Sequence, residues 1–370
     1  MTSWLSPRIA LVAPSLDILG GQGMQAHTLY DFLCGSGYHV TFIPINPRFP
    51  GWLRHVRRIP YARTLINEAL YSVSMRRLVD CDVVHLFTAS YWSFLLTAVP
   101  ALLAARTLRK RSVVHYHSGE AEEHLGRWGM LVHPWLRLAD AVVVPSLYLR
   151  EVFAVHGYHT RHIPNIIETD RFRFRPRMPL QPRFVSTRNL EPGYRVDVTI
   201  RAFALLRERY PDATLLVAGR GSEEDRLRAL ASEVGPQGIR FLGALDRSHM
   251  PQLLERGDIL LNASVIDNQP VSILEAFAAG LLVVTTVPGD LRHMVRDGET
   301  GRIVPPANPK AMAQAAAALL EDPERAARIA ARARREAGRH SWGAVRDAWM
   351  KAYGCPVAAA GSAGMAGAAA

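Results

Sequence analysis

The sequence predicts an α/β protein of two domains in tandem, each a parallel sheet with helices on both faces. Three observations carry that prediction. The 370 residues exceed the roughly 150 expected of a single domain. Short β-branched runs alternate with amphipathic helical stretches, the pattern of parallel strands joined by crossover helices. The alternation breaks once, near the middle, and then starts again.

In chain order, strands are expected at Arg8–Ala13, His39–Ile45, Asp82–Phe87, Ser112–His117, Ala141–Pro145 and Arg161–Ile163. Helical patterns lie between them, for example Met24–Leu33 and Leu147–Val155. The run TDRFRFRPRMPLQPR, within Glu168–Arg183, has no helical period and reads as a linker. Strands then return at Phe184–Ser186, Thr214–Ala218, Ile239–Leu242, Ile259–Asn262, Leu282–Thr285 and Arg302–Val304. Their helices are expected near Val196–Tyr210, Glu223–Ser232, Met250–Glu255, Val271–Ala279 and Leu291–Val295, followed by one Ala/Arg-rich helical region from Pro309 to Arg339. The organisation is therefore a first domain over 1–170, a linker over 171–183 and a second domain over 184–340. A closing helix over 341–354 is expected to return to the first domain. A tail over 355–370, ending AAAGSAGMAGAAA, has too little apolar bulk to pack and is expected to be disordered.

Composition narrows the function. With 49% hydrophobic and 21% charged residues, a disordered, collagenous or disulfide-stapled chain is excluded. Basic groups are unevenly placed: residues 1–180 hold 20 basic and 12 acidic side chains, residues 181–370 hold 24 and 21. The first half is therefore expected to meet an anionic partner: phosphates, nucleic acid or a membrane surface. No basic stripe with regular aromatics is present, which argues against nucleic acid. Three distant cysteines without a CxxC pair suit a reducing compartment and no structural zinc. The first residues lack a charged and then apolar leader pattern, so a cytoplasmic protein is expected.

Two segments bear on membranes. Val83–Ala105 contains no Asp, Glu, Lys or Arg, long enough to suggest a span. It divides into strand-like VVHLFT and helix-like SFLLTAVPALLAA, so a buried strand and helix are expected. Trp52–Arg63, WLRHVRRIPYAR, mixes aromatic and basic residues. It suits a peripheral anchor on the inner face of the cytoplasmic membrane, or simply a solvated basic face, with Pro60 interrupting any long helix.

The most informative motif is Asp267–Gly280, DNQPVSILEAFAAG. Pro270 suits a helix start and Gly280 a helix end. The free N–H groups at such a helix start suit a diphosphate, with Asn268 and Val271 beside them. Asp267 and Glu275 could then flank the ligand and accept hydrogen bonds from hydroxyls. The alternative is an acid at a helix dipole and a surface glutamate.

This motif, with LLVVTT286 and the turn Asp297-Gly298-Glu299-Thr300-Gly301, resembles glycosyltransferase family 4, whose fold is GT-B; similar motifs run from Gly20 to Tyr353. The resemblance implies two Rossmann-like domains facing across a cleft. It also implies retaining transfer of a sugar from a nucleoside diphosphate donor to a hydroxyl of a glycan or lipid-linked acceptor. Glu275 would bind the ribose hydroxyls and Asp267, where the family more often has Glu, the donor sugar. Arg188, in STRNLEPGYRVD, matches the family's arginine after its first strand of this domain. The family's following lysine is replaced by Gly193-Tyr194, and Arg195 is expected to supply the second cation at the diphosphate. Gly20 and Gly21 resemble the family's glycine-rich loop near the donor phosphates, Gly219 its GxG near the base, and His117 its histidine at the donor sugar. The loop Ser118, Gly119 and Glu120 could reach the acceptor.

Competing readings are weaker. Gly21-x-Gly23-x-x-Ala26 fits a dinucleotide fingerprint, yet Pro14–Leu19 intervene after the strand and no acid ends HVTFIPIN. Asp80-Cys81-Asp82 is formally a metal motif but opens a strand on the far side from the crevice, so a metal-independent reaction without cofactor is expected. A sugar-nucleotide epimerase of the same fold, or a non-catalytic nucleic-acid- or membrane-binding protein, are the alternatives.

Overall fold

The computed structural model describes residues 7–15, 20–51, 59–235 and 237–356. The first sheet contains β1 (Ile9–Ala13), β2 (Val40–Pro44), β3 (Val83–Thr88), β4 (Arg111–Tyr116), β5 (Ala141–Val144) and β6 (Arg161–His162). The second contains β7 (Arg183–Ser186), β8 (Thr214–Ala218), β9 (Ile239–Gly243), β10 (Ile259–Asn262), β11 (Leu282–Thr285) and β12 (Arg302–Ile303). Both are parallel throughout, in the orders β2-β1-β3-β4-β5-β6 and β12-β11-β10-β7-β8-β9. Strands such as IALVA and VVHLFT are buried along their whole length, as expected when helices cover both faces.

The strand orders place the site. In doubly wound sheets, ligands bind beyond the strand carboxyl ends, where the order reverses direction. That reversal lies between β1 and β3 in the first sheet and between β7 and β10 in the second. The chain leaving these strands carries Gly21, Ala89, Arg188 and Asp267, and all four line one cleft.

After the second lobe the chain returns to the first. Helix Trp342–Tyr353 buries Val345, Trp349 and Tyr353 against Ile9, Leu29 and Phe87, and the Tyr353 hydroxyl lies 2.8 Å from His85 Nδ1. The connecting segment is no loose tether. Arg175, Arg177 and Arg183 converge on the buried Asp258 carboxylate at 2.6, 3.3 and 3.3 Å. Burial lowers the Arg177 guanidinium to about 10, so it stays charged at neutral pH.

One expectation needs correcting. Pro309–Arg339 is not one helix: Asp322 ends Pro309–Glu321 and caps Pro323–Gly338 by accepting from Arg325 N. As expected, no helix runs through Pro60: Ile59 is extended and Pro60 starts helix Pro60–Ser74, because the first turn has no use for the missing N–H. The rest of the proposed anchor, residues 52–58, lies outside the described residues, as do residues 357–370 of the tail. The uncharged stretch forms β3, a wide π-helical turn at Phe94–Ala98 and helix Val99–Thr107. Among the described residues, no helix is long and apolar enough to cross a membrane. Asp82, at the far end of β3, pairs with Arg8.

Candidate active site

The cleft between the lobes encloses about 460 Å³. Its second-lobe wall is built on Arg188, which follows β7. The Arg188 guanidinium donates to Asp267 Oδ2 at 2.6 Å and to Ser272 Oγ at 3.2 Å, and lies 4.2 Å over the Tyr194 ring. Arg188 and Asp267 side chains are each only 10% exposed, so the pair is largely desolvated. Burial raises the Asp267 carboxyl above its ordinary range, while Arg188 pulls it back. Gly219 is pressed against this group: a Cβ there would stand 2.2 Å from the Arg188 carbonyl oxygen.

Helix Val271–Ala279 points its N-terminus at the same cleft, with Pro270, Val271 and Ser272 on the lining. Gly280 closes it in the left-handed region at φ 82°, where a Cβ would also meet the Phe174 ring. Glu275 lies one turn beyond Val271 and on the same helix face. It is part-buried and outside the cleft lining. Burial raises its carboxyl to about 7, against the opposing pull of Arg247 and Arg171.

The first lobe contributes His117, at the end of β4. Its ring stacks on Phe87 at 5.2 Å and abuts His115 at 4.0 Å between centroids. Burial lowers it to about 3, so it is neutral at physiological pH. Its Nε2 is buried and without a hydrogen-bond partner. Behind it, His115 Nδ1 lies 3.2 Å from His85 Nε2. Gly119 faces the second lobe closely enough that a Cβ would lie 3.3 Å from the Asp267 carbonyl oxygen.

Side chains also join the lobes across the cleft. Asn268 donates to the His117 carbonyl at 3.1 Å and accepts from Ser146. Asn165 donates from its backbone to Gln269 Oε1 at 2.6 Å and from its side chain to the Gln269 carbonyl at 3.0 Å. Arg247 bridges Glu168 at 2.8 Å and Asp31 at 3.4 Å.

Of the residues expected from sequence, Gly21, His117, Arg188, Asp267, Asn268 and Val271 line one cleft. Gly20, exposed, caps helix Gly21–Gly35 just outside it. Three others, Glu275, Arg195 and Gly219, stand outside that lining. Arg195 sits at φ 47° before helix Val196–Arg209 and its guanidinium grips Asp197 at 3.0 and 3.2 Å. Gly219 does not line the cleft; its lack of a side chain lets the β8 end pass the Arg188 backbone. Sequence reading also passed over Ser272 and Tyr194 as partners of Arg188. Tyr194 stood in the motif as a missing lysine, and only the turn at Pro192–Tyr194 reveals its ring beneath the guanidinium. Among the described residues, no three His, Cys, Asp or Glu side chains converge as metal ligands.

Two parallel-sheet lobes whose reversal points face one cleft, with a desolvated arginine and a helix start on the wall, define a GT-B glycosyltransferase. The chain belongs to glycosyltransferase family 4. Its first half, residues 19–171, matches the profile described as Glycosyltransferase Family 4, and residues 169–336 match Glycosyl transferases group 1. It is 28% identical to phosphatidyl-myo-inositol mannosyltransferase of Mycobacterium leprae, covering 94% of this chain and 96% of that one. It is 32% identical to glycogen synthase of Mycobacterium tuberculosis, covering 95% and 93%. The fold also superposes on Anabaena HepE in complex with UDP-glucose with a TM-score of 0.73 at 17% identity, covering 93% of this chain and 98% of that one.

Proposed function

We propose that this glycosyltransferase takes its sugar from a nucleoside diphosphate donor and transfers it, with retention, to a hydroxyl of a glycan or lipid-linked acceptor. The observation that carries the reading is the Arg188–Asp267–Ser272 group at the start of helix Val271–Ala279. A guanidinium beside free helix N–H groups suits the charge that grows on a leaving diphosphate, without any metal. Asp267 and His117 then hold the donor sugar, and Glu275, further along the same helix face, holds the ribose. His117 is neutral and lines the cleft, and its Nε2 is buried without a hydrogen-bond partner, so a sugar hydroxyl could meet that need once the donor packs against the ring. No separate nucleophile is assigned; departure of the diphosphate and attack by the acceptor take place on one sugar face. The relatives named for a phospholipid mannosyltransferase and a glycogen synthase, and the neighbour holding UDP-glucose, support a nucleotide-sugar donor and an acceptor of either kind.

Thermal-shift titration with UDP-glucose, GDP-mannose and ADP-glucose tests this. At least one is expected to raise the melting temperature of the native protein and not of Arg188→Ala. No shift with any of them, or an equal shift in both proteins, contradicts the proposal.

A further inference from the structure

Next to the cleft lining of the first lobe lies an exposed aromatic surface. Beyond Ala89, on the cleft lining, the chain turns through Tyr91 in the left-handed region at φ 56°, followed by the π-helical turn. These turns bring Tyr91 and Trp92 beside Trp128: the Tyr91–Trp128 and Trp92–Trp128 rings lie edge to face at 5.6 and 5.4 Å. Trp92 is 65% exposed, although a tryptophan is normally mostly covered. The Tyr91 hydroxyl donates to Glu123, which also pairs with Arg127. Two further acids, Glu120 on the cleft lining and Glu122, are exposed, and neither carboxylate has a hydrogen-bond or ion-pair partner among the described residues.

We infer that Tyr91, Trp92 and Trp128, with Glu120 and Glu122, form an acceptor subsite for a saccharide that carries no negative charge. The inference rests on the proposed transfer reaction and names its acceptor class. A pyranose presents an apolar C–H face, which lies well on the electron-rich face of an indole. Its hydroxyls need acceptors at the rim, and unpaired carboxylates supply them. Charge separates this occupant from the other candidate, a bilayer. Among the described residues the one ion pair that Glu120, Glu122 and Glu123 make is Glu123 with Arg127, so the patch carries excess negative charge and disfavours an anionic lipid surface, even though the half of the chain that bears it is basic overall. Continuity with the cleft through Ala89, Gly119 and Glu120 places the end of a bound saccharide toward the reacting centre.

The test is a glycan array carrying neutral and anionic saccharides, probed with the labelled full chain, beside sedimentation with vesicles of phosphatidylcholine and phosphatidylglycerol. Native protein is expected to mark neutral saccharides. Trp92→Ala should lose that signal at least tenfold, Trp92→Phe should keep much of it, and Glu120→Gln should weaken it several-fold. Both Trp92 variants should keep the native donor-induced thermal shift. An array without neutral-saccharide signal, a signal unchanged in Trp92→Ala, or vesicle binding that Trp92→Ala abolishes overturns the inference. Absence of any donor shift in native protein would instead overturn the transfer reaction itself, so the two failures are told apart.

Discussion

The two walls of the cleft solve the problem of a buried polar surface differently. On the second lobe the charges are already engaged: Arg188 is held by Asp267, Ser272 and the Tyr194 ring. On the first lobe His117 is fixed by ring packing alone, and its Nε2 has no partner. The second wall thus holds its charge in an ion pair, with only the Arg188 Nε left without a partner, and the first holds a neutral ring by packing. Under the proposed reaction, the second wall would organise charge for the donor and the first would read its shape. Burial enforces the contrast, since an unpaired guanidinium could not stay desolvated whereas a neutral imidazole can.

Removing the paired cation is the most severe way to break this contrast. Arg188→Ala deletes the diphosphate partner and strands a buried carboxylate, so kcat should fall on the order of 10²–10³-fold. Steady-state kinetics with the best donor measure it, and a variant within twofold of native would show that the second wall does not organise leaving-group charge.

On the first wall the effect should be smaller. His117→Phe keeps the ring packing and loses one hydrogen bond, which corresponds to about tenfold in kcat. Because His117 lies at about 3, the native pH–rate profile from pH 5 to 9 should carry no inflection from it. An inflection near pH 6.5 that His117→Phe abolishes would mean that the imidazole titrates as an exposed one does.

Glu275 sharpens the comparison through stability. Its folded carboxyl stands near 7 against an ordinary 4.5, so the folded state binds the extra proton between those values. Its contribution is therefore favourable at low pH and is lost as pH rises through about 7. Glu275→Gln should accordingly be more stable than native by about 1–2 kcal/mol at pH 8.5, allowing for partial exposure, and little changed at pH 4. Melting curves at the two pH values test the sign, and a less stable variant at pH 8.5 would reverse it. Donor affinity should fall about tenfold with loss of a charged hydrogen bond to the ribose.

The smallest effect belongs to the contacts between the walls. Ser146→Ala removes the hydroxyl that donates to Asn268 and also caps helix Leu147–Val155 by accepting from Leu149 N, so it should cost about 1–2 kcal/mol of stability. Thermal melts check this; a loss above about 3 kcal/mol would mark the contact as structurally central.

Sequence made the sheets legible because parallel strands are buried on both faces and read as continuous β-branched runs, as in VVHLFT and AVVV. The helix start at Val271 and its end at Gly280 were equally readable, since proline and glycine act through the local backbone. The placement of Arg195 is not legible because charge and spacing say nothing of direction: two residues on, Asp197 supplies a partner outside the cleft lining. Gly219 is ambiguous for a related reason, since a glycine that approaches a ligand and one that approaches a neighbouring carbonyl look the same in sequence. The stacking of Tyr194 under Arg188 depends on a turn that no periodicity announces. Tertiary pairing, not local propensity, decides such positions.

Arg188 is the one arginine on the cleft lining among the described residues, and under the proposed function it, and not Arg195, receives the donor diphosphate. Calorimetric titration of UDP, GDP and ADP into native protein, Arg188→Ala and Arg195→Ala tests this claim most directly. The nucleotide that binds native protein should lose at least tenfold in affinity with Arg188→Ala and less than twofold with Arg195→Ala. Equal losses in both variants, or unchanged binding to Arg188→Ala, would contradict the account.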